Sequence, residues 1–355
     1  MHRDKALKPG TTLETGKFSV RLNELLTNDS QGFLYRGTAT THAKGKEKPR
    51  ASEVVVREHF MSYCSERGDD GITVVTPEDI APTVNGCLEH FRQASMMRGK
   101  IAEGHPAIIN VLDSFDANNT YYYMVEFLDG PTLEEYVNAN GPLTLDKTRE
   151  ILGPIFSAVS HFHADHTLHT DIHPRHIRFT SHAGQSKPVL FSLYTSIHFD
   201  ESGHKLWSVQ NTNCRSGYAP PEQYTDIDHF LPQIDIYALA ATMVFVMTGK
   251  HLPDSRTINE EIVRTNLPPA LPEVYASALI HALSPDYGER TVSITGFFDE
   301  LQLSYYDVDQ RAHRPTDEHE IAPADEPGHG RQIKTMTAIT VLAIIATIIV
   351  LIGLF

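Results

Sequence analysis

Residues 169–176 read His-Thr-Asp-Ile-His-Pro-Arg-His. They follow an amphipathic run at 145–168 and are soon followed by an apolar patch at 188–193. The wider stretch 161–182 holds seven histidines, at His161, His163, His166, His169, His173, His176 and His182. Imidazole is a common transition-metal ligand. Asp171, His173 and His176 are close enough along the chain to share one ion. No C-x-x-C or H-E-x-x-H pattern accompanies them, however. The expectation is therefore no metal site, with a metal-binding His-rich module kept as an alternative.

Working outward, the 355 residues suffice for two packed lobes and an appendage. At 41% hydrophobic and 21% charged, the composition is that of a globular protein. A net charge of -15 argues against nucleic acid, which requires a basic face. Cys64, Cys87 and Cys214 are widely spaced and odd in number, which suggests a reducing compartment and neither a disulfide framework nor a zinc knuckle. Residues 1–16 are polar and lack the apolar core of a signal peptide.

The alternation predicts strands at Phe18–Leu26 and Phe33–Ala39, around a polar turn from Thr27 to Gln31. A polar, Lys- and Gly-rich insert, Thr40–Arg50, precedes the strand Glu53–Glu58. A helix is expected at roughly 85–102, then strands at Ala107–Phe115 and Tyr121–Phe127. Pro142–His166 reads as a long amphipathic helix whose stripe of Ile151, Ile155, Phe156, Val159 and Phe162 belongs in a core. Residues 304–335 turn acidic and carry Pro315, Pro323 and Pro327, the composition of a disordered linker spanning roughly 30 Å. Met336–Phe355 is uncharged and would span about 30 Å as a helix, one hydrocarbon core. Arg331 and Lys334 flank its start, which places residues 1–335 in the cytoplasm of a single-pass, C-terminally anchored protein.

The stretch 169–176 resembles the catalytic loop H-x-D-x-K-x-x-N of eukaryotic-type Ser/Thr protein kinases. His169 and Asp171 match it, while His173 stands at the Lys position and His176 at the metal-binding Asn. Asn118-Asn119-Thr120-Tyr121 and the hinge after it resemble a bacterial branch of that family. Val54-Val55-Val56-Arg57 looks like the V-A-I-K strand with Arg57 for Lys, and the helix register puts Gln93 where the Lys finds its Glu partner. Thr27, Asp29 and Gly32 fall on the three glycines of the phosphate-covering loop. Ser192 takes the place of the D-F-G Asp, with Tyr194 at its Gly. Gly217–Glu222 resembles the A-P-E region, Asp235–Leu239 the start of the central helix, and Arg290 the family's late Arg. The resemblance implies that Glu222 pairs with Arg290, that Asp235 caps the catalytic-loop backbone and that His169 is structural.

The resemblance predicts an α+β, bilobal protein-kinase-like fold, to which the apolar run adds one C-terminal transmembrane helix. Residues 1–16 are expected as an extension and 17–303 as the kinase-like domain, with lobes at about 17–126 and 127–303. A linker at 304–335 and a membrane helix at 336–355 complete the chain. The departures cluster on the nucleotide and metal side, which implies a pseudokinase without magnesium-ATP, acting through a protein partner such as an active kinase. The competing expectation is an active or atypical kinase with Asp171 as base.

Overall fold

The computed structural model describes residues 3–29, 32–42, 48–182, 185–206, 214–225 and 227–302. The linker and the apolar run 336–355 lie outside the described residues. Among those described, no helix is long and apolar enough to cross a membrane.

The N-terminal lobe is a six-stranded antiparallel sheet. Its first four strands are β1 (Thr12–Glu14), β2 (Phe18–Asp29), β3 (Gly32–Thr41) and β4 (Ala51–His59). A small hairpin, β5 (Glu66–Arg67) with β6 (Val74–Val75), leads to α1 (Ala81–Ala102). β7 (Val111–Ala117) and β8 (Thr120–Glu126) complete the sheet in the order β1-β2-β3-β4-β8-β7. Side chains alternate across a pleated sheet. Val54, Val56, Tyr122 and Met124 accordingly pack with Phe33 and Tyr35 on one face, while Val55, Arg57, Tyr123 and Val125 face the interlobe cleft. The segment before residue 17, expected as an extension, is part of this lobe. It supplies β1 and the buried Leu7 and Leu13.

The expected turn at 27–31 is shorter than its composition suggests. β2 continues to Asp29, with Asn28 opposite Phe33 and Asp29 opposite Gly32, and two register shifts absorb the twist. Gly32 is needed for close approach: a Cβ there would lie 1.9 Å from the carbonyl oxygen of Glu58.

The C-terminal lobe contains α2 (Leu133–Asn140), α3 (Leu145–Ala164), α4 (Gln233–Thr248), α5 (Glu260–Asn266), α6 (Glu273–Ala282) and α7 (Ile294–Glu300). Between α3 and α4 run the short strands β9 (Thr167–Leu168), β10 (Ile177–His182), β11 (Gln185–Leu190) and β12 (Ile197–His198). α2 opens on a capping box between Thr132 and Glu135, which satisfies two backbone N–H groups that a helix start leaves over. α3 begins at the Thr144 cap, later than expected, and buries its whole apolar stripe. α4 is buried on every side from Ile234 to Met247, as a central helix must be.

Arg290, wholly buried, ties the end of this lobe to the segment before α4. Its Nη1 donates to Glu222 Oε1 at 2.6 Å and to the Gln233 carbonyl at 3.1 Å. Its Nε and Nη2 donate to the Ser284 carbonyl at 3.0 and 2.8 Å. Truncating one partner of such a pair leaves the other charge uncompensated, at a cost of about 3–5 kcal/mol. Arg290→Ala should lower the denaturant midpoint by that order, and Glu222→Gln by less. A loss no larger than that of the exposed Lys8→Ala would show that the pair contributes nothing to the lobe.

Two buried histidines make stability pH-dependent. Burial, with Arg57 nearby, pushes His59 down to about 4, and burial, with Arg98 nearby, pushes His198 down to about 3. Between those values and the ordinary value near 6.5 the unfolded chain binds more protons than the folded one. Stability should therefore fall as pH drops below about 6.5 and keep falling towards 4. Urea midpoints from pH 7 to 5 would show the slope, and His59→Phe should reduce it without abolishing it. Equal midpoints at pH 7 and 5 would mean that the fold holds these rings charged.

Candidate functional site

A cavity of about 420 Å³ lies between the lobes. Leu34, Val55, Ile109, Val125 and Phe191 are among its apolar walls, and Asp29, Arg57, His176, Arg178 and Ser192 bring polar atoms to it.

On the sheet side, Arg57 is almost fully buried at the end of β4. Its Nη2 donates to both carboxylate oxygens of Asp29 at 2.7 Å, and its guanidinium lies over the Tyr194 ring at 5.2 Å from the centroid. The sequence expectation put Asp29 on a polar turn, at a glycine position of the phosphate-covering loop. The fold also makes it the counter-ion of the Arg that replaces Lys. Thr27, likewise expected on a turn, is a strand residue lining the same wall.

Gln93 does not occupy the place assigned to it. It is exposed, and its Nε2 donates to Glu89 Oε1 at 3.0 Å. The inner face of α1 is set by Ala94, Ser95, Arg98, Ile101 and Ala102, and Gln93 falls outside that phase. The residue that does reach inward is Arg98, which the sequence reading missed. Its Nε donates to the Leu193 carbonyl at 2.7 Å and its Nη2 to the Tyr194 carbonyl at 2.8 Å. The available signal was a lone charge within a buried helical stripe. Arg98 thus pins the segment that begins at Ser192, whose φ of 68° puts a non-glycine residue in the left-handed region. Such a conformation costs of order 1–3 kcal/mol and persists only where the surroundings impose it.

Arg178 was also missed. It alternates with the buried Ile177 and Phe179 on β10, so it points to the cleft floor, where Nη1 donates to the Gly130 carbonyl at 2.8 Å. Its guanidinium sits 5.9 Å from the Phe191 centroid.

The catalytic-loop stretch is held from beneath by Asp235. Oδ2 accepts from the His169 N–H at 2.9 Å and Oδ1 from the Thr170 N–H at 2.8 Å, while His163 Nε2 lies 3.0 Å from Oδ2. Burial works against the Asp235 charge, but the His163 contact and the backbone donor outweigh it and hold the carboxyl below its usual value. His169 is buried with Nε2 at 3.1 Å from the Phe191 carbonyl, so it bridges the loop to the segment after β11. Asp171 is brought against two imidazoles. His173 Nε2 lies 3.3 Å from Oδ1 and His176 Nδ1 lies 3.3 Å from Oδ2. Burial pushes His176 down to about 3 and lowers His173 as well. For Asp171 burial is opposed and outweighed by the contact with His173, which keeps the carboxyl ionised. Ser192 lines the same cavity as His176, next to Phe191 in the chain.

The family described as "Protein kinase domain" matches residues 87–279 of this chain, more than half of it. Serine/threonine-protein kinase PrkC of Bacillus subtilis (strain 168) is 30% identical over 169 residues, covering 47% of this chain and 24% of that protein. Probable serine/threonine-protein kinase PknB of Lactococcus lactis is 27% identical over 239 residues, covering 62% and 36%. The matches thus span about a quarter to a third of the relatives' own lengths. The crystal structure of the Mycobacterium tuberculosis PknI kinase domain, a double mutant, aligns over 86% of this chain and 99% of its own, with 17% identity and a TM-score of 0.49. By its catalytic-loop stretch, its bilobal architecture and the extent of the family match, the chain belongs to the protein kinase domain family.

Proposed function

We propose that this chain is a catalytically impaired member of its family, a pseudokinase that works as a membrane-tethered signalling scaffold or as the allosteric partner of another protein. The observation that carries this reading is the ion pair between Arg57 and Asp29. Phosphoryl transfer depends on positioning and on neutralising phosphate charge, with little covalent chemistry by the protein. Here the cation at the phosphate side of the cleft is already neutralised by an acid of the same lobe. An incoming phosphate would have to displace Asp29 and then face its negative charge.

Magnesium adds a second obstacle. It is a hard ion that takes oxygen donors in near-octahedral order. The two positions where the family places its metal ligands carry the His176 imidazole and the Ser192 hydroxyl. This donor set does not fit magnesium-ATP. A second reading, an active or atypical Ser/Thr kinase, draws on the retained, ionised Asp171 and on the names of the bacterial relatives.

The readings part on nucleotide. Ligand at 100 times its dissociation constant stabilises by about 2.7 kcal/mol, a clear thermal shift. We expect no shift with millimolar magnesium-ATP, and no phosphotransfer by the wild type or by Ser192→Asp. Turnover abolished by Asp171→Asn would establish the second reading in place of the first.

The membrane tether rests on the uncharged run 336–355. Ending the chain before Met336 should move it from the membrane to the soluble fraction. A truncated chain that resists an alkaline wash of the membranes would show that the attachment lies elsewhere.

A further inference from the structure

The histidines at the catalytic loop do more than replace a Lys and an Asn. Asp171, His173 and His176 each present one donor atom, and the three atoms lie within 4.8 Å of one another. Asp171 and His173 are 5% and 1% exposed, while His176 is half-buried and lines the cleft, which leaves a way in for a small ion. The imidazole rings of His173 and His176 stand 3.9 Å apart at their centroids.

A separate observation points to a ligand. His173 Nε2 is buried, and its contact with Asp171 Oδ1 at 3.3 Å falls short of hydrogen-bond geometry. Buried polar atoms in folded proteins are nearly always satisfied, and exceptions call for a cause. The spacing supplies one. Two donors held by a common tetrahedral ion at about 2.1 Å lie about 3.4 Å apart. His176 is prepared in a further respect: its Nδ1 donates to the Asp171 carbonyl at 2.9 Å, which leaves Nε2 its lone pair. Metal-ligating histidines are commonly oriented by such a bond from their other nitrogen.

We propose that Asp171, His173 and His176 form a binding site for one divalent transition-metal ion of the zinc class, held by one carboxylate and two imidazoles. The donor set selects against magnesium and calcium, which take oxygen ligands, and suits the first-row ions that accept nitrogen. One adjustment is required. The Arg175 N–H points at His173 Nδ1 at 3.2 Å, so in the metal-free loop Nε2 carries the proton. Binding moves the ring to its other tautomer, with the proton on Nδ1, and releases that contact, which lies at the long end of the hydrogen-bond range. The bound ion neutralises Asp171 and fastens the loop from 171 to 176. Such a site reverses the sequence expectation of no metal. It does not depend on the pseudokinase reading: a chain that transferred phosphate and bound zinc would overturn that reading and leave this one standing.

The test uses the full-length chain without a histidine tag, in detergent, stripped of metal with a chelator. Zinc is titrated against a chromophoric chelator, with magnesium as the comparison ion. Wild type is expected to take up one equivalent of zinc in the presence of excess magnesium. His176→Gln should weaken uptake at least about 10-fold, and His173→Ala with His176→Ala should abolish it. The exposed His90→Ala should leave it unchanged. Circular dichroism of the metal-free variants checks that they fold. If the double variant does not, the half-buried His176→Gln still gives the comparison. Cobalt in place of zinc should show ligand-field bands without a thiolate charge-transfer band. Substoichiometric uptake, uptake unaffected by His176→Gln, or a thiolate band would overturn the proposal.

Discussion

Asp235 has no contact with solvent and serves three donors at once: the N–H groups of His169 and Thr170 and the His163 ring. It stands in the first turn of α4, where a negative charge is favoured by the helix dipole. The two backbone donors belong to consecutive residues, and Thr170 is in the left-handed region at φ 65°. A β-branched residue takes that conformation only under constraint. The buried carboxylate supplies the constraint, and Gln223, whose Nε2 donates to the Thr170 carbonyl at 2.7 Å, holds the other side of the same residue. With these bonds made, Asp171 has one direction to face. The placement of the His-rich loop, and of everything attached to it, depends on a carboxylate beneath it that touches no ligand.

This arrangement separates architecture from chemistry. The Glu222–Arg290 pair and the Asp235 bonds lie beneath the cleft and use groups that need no ligand to satisfy them. On the cleft side, Arg57 pairs with Asp29, and Arg98 donates to the Leu193 and Tyr194 carbonyls. A site preorganised for phosphate keeps its donors aimed at where charge will arrive. Here the Arg57 Nη2 donor is engaged by the Asp29 carboxylate.

Sequence alone made the C-terminal half legible because its signals are periodic or paired. The stripe from Ile151 to Phe162 and the mostly apolar run of α4 after Asp235 declare burial without any partner in view. Glu222 and Arg290 could be matched by order along the chain. The N-terminal half was harder to read. Asn28 and Asp29 are turn formers, so a strand ending at Leu26 was expected, yet cross-strand pairing with Gly32 and Phe33 carries β2 on. Gln93 was misplaced because the buried phase of α1 runs through Ala94, Ser95 and Arg98, and Arg98 is held by contacts with Leu193 and Tyr194 that no local pattern encodes. For the His-rich loop, spacing gave proximity but not ring orientation. Whether imidazoles converge on a carboxylate depends on a 3-10 turn at Pro174–His176 and on the anchoring of Thr170 by Asp235.

The same coupling explains why the departures at Asp29 and Arg57 belong together. Arg57 is nearly all buried, and Asp29 is its counter-ion. Glycine at position 29 would give the backbone the freedom that a phosphate-covering loop uses, but it would leave a guanidinium in the wall without its ion pair, a costly state. Lysine at position 57 would keep the charge and lose the planar fork that lies over Tyr194. A change at either position alone therefore leaves the other residue without this ion pair. Asp29 and Arg57 thus act as one structural unit in the wall of the cleft.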